Sequence, residues 1–125
     1  MSRFERTAGQ SPILPGTVSA NGFVFTSGLI SPAAFAAIST GAQVPAEQQI
    51  IDTVATLRET LAAAGVGVED VVKISAFLSS ADLVAAWNEA FLGVWPEGGP
   101  ARTTLVAGFV SPVVHFELEA VAARP

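Results

Sequence analysis

Between residues 46 and 79 the spacing of apolar side chains changes from helical to alternating, and that change requires a fold mixing helices with a sheet. Ile50, Val54, Leu57, Leu61 and Ala64 recur three or four residues apart, the period that lines one face of a helix. Asp52, Thr56 and Glu59 occupy the other side. Pro45 stands where a helix can begin, and Glu47 in the first turn meets the positive end of the helix dipole. Gly65 suits the left-handed position that follows a helix. These signals predict a helix over 46–64. From Val71 to Ser79 the pattern alternates, with Val72, Ile74, Ala76 and Leu78 on one face of a predicted strand.

The rest of the chain extends this pattern in both directions. Residues 1–16 carry Pro12, Pro15 and Gly16 and are expected to be irregular. Thr17–Ala20 and Phe23–Ser27 are β-type runs flanking Asn21-Gly22, the strongest short hairpin signal. Residues 29–44 are expected to form a loop, long enough to cover or border a site. Ser79 or Ser80 can cap a second helix with Leu83, Val84, Trp87, Ala90 and Phe91 on its apolar side and Gly93 at its end. A loop over 94–100, a strand over 102–109, a turn at Ser111-Pro112 and a strand over 113–122 complete the chain. The predicted order is β-β-α-β-α-β-β, in one domain spanning 1–125. Two helices cover only one face of such a sheet. On the last strand Phe116, Leu118, Ala120 and Ala122 point one way, and His115, Glu117, Glu119 and Val121 point the other. That second face, both acidic and apolar, suits a subunit interface better than a dry core.

Composition supports the same conclusion. Half the residues are hydrophobic and 14% are charged, against about 25% charged in an ordinary soluble domain. A homo-oligomer is the simplest way to cover the surplus apolar surface. No apolar stretch reaches the roughly 20 residues of a membrane span. Met1 to Gln10 lacks the apolar core of a signal peptide, so a cytoplasmic protein is expected. The chain has no cysteine and a single histidine, His115, which excludes disulfides, thiolate metal sites and a multi-histidine metal site within one chain. The net charge is -5 and the six basic residues are scattered singly, which disfavours nucleic acid as a partner.

The residues that could carry chemistry are few. No other Lys or Arg lies between Lys73 and Arg124 except Arg102, which follows a Gly-Gly-Pro loop at the start of a strand. Its guanidinium can present two donors to a carboxylate ligand, or it can pair with a surface acid. Glu117, between Phe116 and Leu118, is either half-buried, with a raised pKa and the ability to hold or deprotonate water, or an outward residue in solvent. Glu119 lies two residues along the same face. His115 beside a turn suits a structural role, and no serine triad can be assembled. Trp87 and Phe91, four apart, read as core; Asn88 faces another way and can hydrogen-bond a loop. Ser27-Gly28 permits a close backbone approach.

Several segments together resemble one family. FVFTSGLI (23–30), EQQIIDTVATLRETLAAAGVGVEDVVKISAFLSS (47–80), WNEAF (87–91), PARTTL (100–105) and FELEAVA (116–122) resemble, in order and spacing, the RidA family, also called YjgF and long labelled L-PSP endoribonuclease. The resemblance implies a chorismate-mutase-like α+β fold and a homotrimer with clefts between subunits. It also implies hydrolysis of 2-imino or 2-enamino acids to 2-keto acids and ammonia without metal or cofactor. By position, Arg102 resembles the arginine that binds the substrate carboxylate and Glu117 the glutamate that positions water. Ser27 and Gly28 resemble the cleft wall, Asn88 and Phe91 its helical side, and Thr104 a position whose backbone faces substrate. Leu14 and Leu29 stand where archetypal members have a tyrosine and commonly a glutamine. The resemblance therefore implies a drier pocket, with a preference for bulkier imino acids, or a non-catalytic binder of keto acids or other small carboxylates.

Overall fold

The computed structural model describes residues 4–125; Met1 to Arg3 of the expected irregular segment lie outside them. Six strands form one mixed sheet: β1 (Glu5–Arg6), β2 (Thr17–Ala20), β3 (Phe23–Thr26), β4 (Val71–Leu78), β5 (Ala101–Val106) and β6 (Phe116–Ala123). Their spatial order is β1-β2-β3-β6-β4-β5, antiparallel except for the β4–β5 pair. The helices are α1 (Pro32–Ala37), α2 (Ala46–Ala63) and α3 (Val84–Val94). The hairpin turns at Asn21 and Gly22, both with positive φ, as the Asn-Gly pair predicts.

The core lies between the sheet and the two long helices. Ile50, Leu57 and Leu61 of α2, and Trp87 and Phe91 of α3, pack on Val24, Ile74, Leu78, Phe116 and Leu118 of the strands. Gly65, at φ +79°, follows α2 as expected. The opposite face carries Phe25, Phe77, Glu117, Glu119 and Lys73 and is not packed by α2 or α3. Phe23 and Phe25 there are each 43% exposed.

Five expectations need correction. The 29–44 segment is not simply a loop: Ser31 Oγ accepts the Ala34 N–H and Pro32 sits in the first turn, so the alanines that follow wind into α1. The irregular 1–16 segment contributes β1, which adds to the sheet edge through Glu5 and Arg6. Val72 does not share a face with Ile74, because the ladder to β6 is irregular between Val71 and Lys73; Val71 is buried instead and Val72 is exposed. Gly93 does not end its helix, which continues to Val94; Trp95, anchored by its indole N–H to the Val68 carbonyl, follows it. The last two strands run over Ala101–Val106 and Phe116–Ala123 rather than 102–109 and 113–122, since Val113 and Val114 pack against α1 in a second small core with Ile30, Ala34 and Ala37.

One buried polar residue aligns these parts. Gln49 of α2 is fully buried; its amide donates to the carbonyls of Val44 and Val113, and its Oε1 accepts the His115 N–H. It thereby fixes the residue that leads into β6. His115 itself pairs through Nδ1 with the Ser79 hydroxyl, in the structural role expected for it. Gln49→Ala would strand these buried backbone groups, and a loss of about 3 kcal/mol is expected in urea unfolding.

Candidate functional site

Glu117 takes its place from the alternation of β6. Phe116 and Leu118 face the core, so Glu117 is turned to the open face, opposite Phe77 of β4. Beyond the end of β3 the chain returns to the same strand: the Leu29 N–H donates to the Leu118 carbonyl (2.7 Å) and the Leu118 N–H to the Leu29 carbonyl (3.0 Å). This bridge holds Gly28 flat against the Glu117 carboxylate, so closely that a Cβ at residue 28 would collide with Oε2. Burial raises the Glu117 pKa, and the neighbouring Glu119 raises it further.

Above Glu117 opens a cleft of about 680 Å3, bounded by the 10–14 turn, α1 and the 107–110 segment. Leu14 and Phe35 form part of its wall. A second groove, about 410 Å3, lies beyond them against α2 and includes Ser27, Thr56 and Glu59. Gln10, Leu14, Gly28 and Phe35 border both. Ser11 Oγ, at the margin of the larger cleft, is buried without a hydrogen-bond partner.

Arg102 is built into a different surface. It faces Ile74 in the parallel β4–β5 ladder and so points to the helix side of the edge strand. Its guanidinium carbon lies 4.6 Å from the Phe91 ring centroid and 5.6 Å from that of Trp87, within cation–π range. Nη2 donates to Asn88 Oδ1 (2.7 Å) and Thr104 Oγ1 (3.0 Å), and Thr104 also accepts the Trp87 indole N–H. Among the described residues no acid pairs with Arg102. Among the described residues Nη1 and Nε have no hydrogen-bond partner, and the guanidinium is held in orientation by neutral groups.

The candidates therefore fall into two groups. Arg102, Asn88, Phe91 and Thr104 form one; Glu117, Gly28 and Leu14 form the other. Within a subunit they do not meet. Arg102 and Glu117 are two strands apart and three residues out of register, about 14 Å between backbones at ideal sheet spacing, on opposite faces. Ser27 is directed to the second groove, where its hydroxyl donates to the Pro15 carbonyl (2.6 Å). Leu29 is 3% exposed within the main core, so it contributes to packing more than to the dryness of the cleft. Phe35, Ile38, Phe77 and Phe109 carry no local mark of a site in the sequence; only the apolar character of the 29–44 segment and its length hinted at a wall there. Among the described residues no group of three metal-ligating side chains occurs, and no helix is long and apolar enough to cross a membrane.

The family model described as endoribonuclease L-PSP matches residues 7–124. The chain belongs to that family, the RidA or YjgF family. Among similar proteins, the Schizosaccharomyces pombe protein mmf2, mitochondrial, is 37% identical over 112 residues, covering 86% of this chain and 84% of that one. A RutC family protein of Synechocystis is 33% identical, covering 86% and 83%. A solved YjgF family structure from Neisseria meningitidis superposes with a TM-score of 0.78 at 23% identity, covering 98% of this chain and 95% of that one, a likeness of fold.

Two outcomes follow from the environment of Glu117. Gly28→Ala should fold with a nearly unchanged melting temperature, since the flexible carboxylate can swing aside, yet any activity that depends on Glu117 should fall at least about tenfold, as misplacement of a catalytic group costs. Because the folded state raises the Glu117 pKa, its neutral form is favoured on folding, and ionisation above that raised value costs stability. Glu117→Gln should therefore melt higher than the parent at pH 8, with the advantage vanishing below about pH 4; scanning calorimetry at both pH values checks this.

Proposed function

We propose that this protein hydrolyses 2-imino and 2-enamino acids to 2-keto acids and ammonia, in a cleft closed by Arg102 of one subunit over Glu117 of the next. In this proposal the subunits form the chorismate-mutase-like homotrimer, with their open sheet faces turned together. The observation that carries it is complementarity: an arginine with unused donors and no acid partner among the described residues, and a half-buried glutamate at the floor of a cleft. Each lacks what the other would bring near it, a carboxylate held by the guanidinium and a water held by the glutamate. Surplus apolar surface on the sheet, including Phe23 and Phe25, supports the assembly.

The chemistry needs little more. An enamine first tautomerises to the imine, whose C2 is electrophilic. Arg102 holds the substrate carboxylate through Nη1. Glu117 accepts a proton as the water oxygen adds to C2 and the C=N π pair moves to nitrogen. Glu117 passes that proton to nitrogen, giving the neutral carbinolamine; it then relays the hydroxyl proton to nitrogen as the C–N bond breaks, so that ammonia leaves, the keto C=O forms and Glu117 is again ionised. A carboxylate of raised pKa is a stronger base while ionised. The chain's net charge of -5 and scattered cations favour this activity over cleavage of RNA. The apolar cleft also supports a second reading, a non-catalytic binder of keto acids.

Imine generated by an amino-acid oxidase and trapped as semicarbazone separates the two. The parent should accelerate imine loss; Arg102→Ala should reduce kcat/KM by about a hundredfold, as expected for a lost charge-assisted carboxylate contact. Glu117→Gln should reduce kcat by about 10²–10⁴. The parent rate should also decline as pH falls through the raised Glu117 value. Unchanged imine decay combined with Arg102-dependent keto-acid binding would favour the binder.

A further inference from the structure

Resting on the deaminase reading, we propose that the cleft over Glu117 receives a large apolar substrate side chain, so that the preferred imines derive from leucine-, methionine- or phenylalanine-type amino acids rather than from alanine. Its volume of about 680 Å3 lies well inside the roughly 300–1,000 Å3 range of small-ligand sites, and a methyl group would leave most of it to water. The walls are Ile13, Leu14, Phe35, Ile38, Phe77 and Phe109. Four of these are substantially exposed in the subunit: Ile13 at 87%, Leu14 at 40%, Phe35 at 37% and Ile38 at 43%. A concavity lined by several exposed apolar side chains is the form of a binding surface.

Apart from Glu117 and the buried Ser11 hydroxyl, two polar side chains of the wall are committed elsewhere. Gln10 donates to the Ile30 carbonyl, and Ser39 donates to the Ala36 carbonyl. A hydroxylated or charged side chain would lose its water there and find few partners. A neighbouring subunit's apolar segment is a poorer occupant, because it would seal Glu117 in without a donor. An imine brings an N–H and an attacking water to that carboxylate and a hydrocarbon tail to the walls. Complete burial of a leucine- or phenylalanine-sized group corresponds to about ten- to a hundredfold in kcat/KM over a methyl group.

The test uses the full chain with imines generated from alanine, 2-aminobutyrate, leucine, methionine and phenylalanine. Acceleration should climb with apolar size. Leu14→Ser and Phe35→Ser should each narrow the leucine-to-alanine ratio of kcat/KM by about tenfold. Both positions are partly exposed, and Phe35→Leu provides a milder variant if the serine does not fold; thermal melts and sedimentation check fold and assembly. Faster turnover of every imine with no preference for the larger ones overturns the pocket assignment and leaves the deaminase reading standing. Variants that dissociate the oligomer without altering the ratio overturn it too, since the cleft would then be a subunit contact. Acceleration of no imine sinks the deaminase reading. Calorimetry then decides the pocket separately: tighter binding of 4-methyl-2-oxopentanoate than of pyruvate supports the apolar pocket, and equal or weaker binding overturns it.

Discussion

Strand β6 lies between β3 and β4, hydrogen-bonded on both sides, and its alternation organises the molecule. Phe116, Leu118, Ala120 and Ala122 are all buried on the helix side. A slip of one residue would drive Glu117 and Glu119 into that core and put a phenylalanine and a leucine on the open face. The register is thus held by the cost of burying two carboxylates as much as by the ladder. Gln49 reinforces it from α2, and the Leu29 bridge reinforces it from the end of β3.

The same constraint creates the chemistry of the open face. A glutamate that cannot turn inward remains over a surface rich in aromatic side chains, with Gly28 against its carboxylate and Glu119 nearby. Its solvation is reduced, and among the described residues no cation offsets this. Arg102 is held by opposite means: stacked on Phe91 and Trp87, bonded to neutral oxygens, and left with donors unused at the sheet edge. The proposed intersubunit cleft would satisfy both groups at once.

Regular structure was legible wherever a long apolar period ran uninterrupted. Helix α2, the Asn21-Gly22 hairpin and the two faces of β6 needed no tertiary information, because local periodicity and turn chemistry agreed. Helix α1 was hidden: six residues carry too little periodicity, and its stability depends on the Ser31 cap and on contacts with Ile30, Val113 and Val114. Val72 was misplaced because a ladder irregularity shifts the face of a strand without a compositional mark. Of the proposed site residues, the scarcity of cations drew attention to Arg102 and the mid-strand acid to Glu117, whereas nothing local showed that Leu29 packs in the core or that Ser27 hydrogen-bonds the Pro15 carbonyl.

By itself the sequence determined the mixed α+β class, the principal helices and strands, and the outward direction of Glu117, since these follow from side-chain spacing over a few consecutive residues. Tertiary structure alone decided that β6 lies at the centre of the sheet, that Arg102 stacks on Phe91, and that α1, the 10–14 turn and the 107–110 segment enclose an apolar cleft above Glu117. Those arrangements depend on contacts between residues far apart in the chain, whose energies come from burial and from distant hydrogen-bond partners and so leave no local period to read.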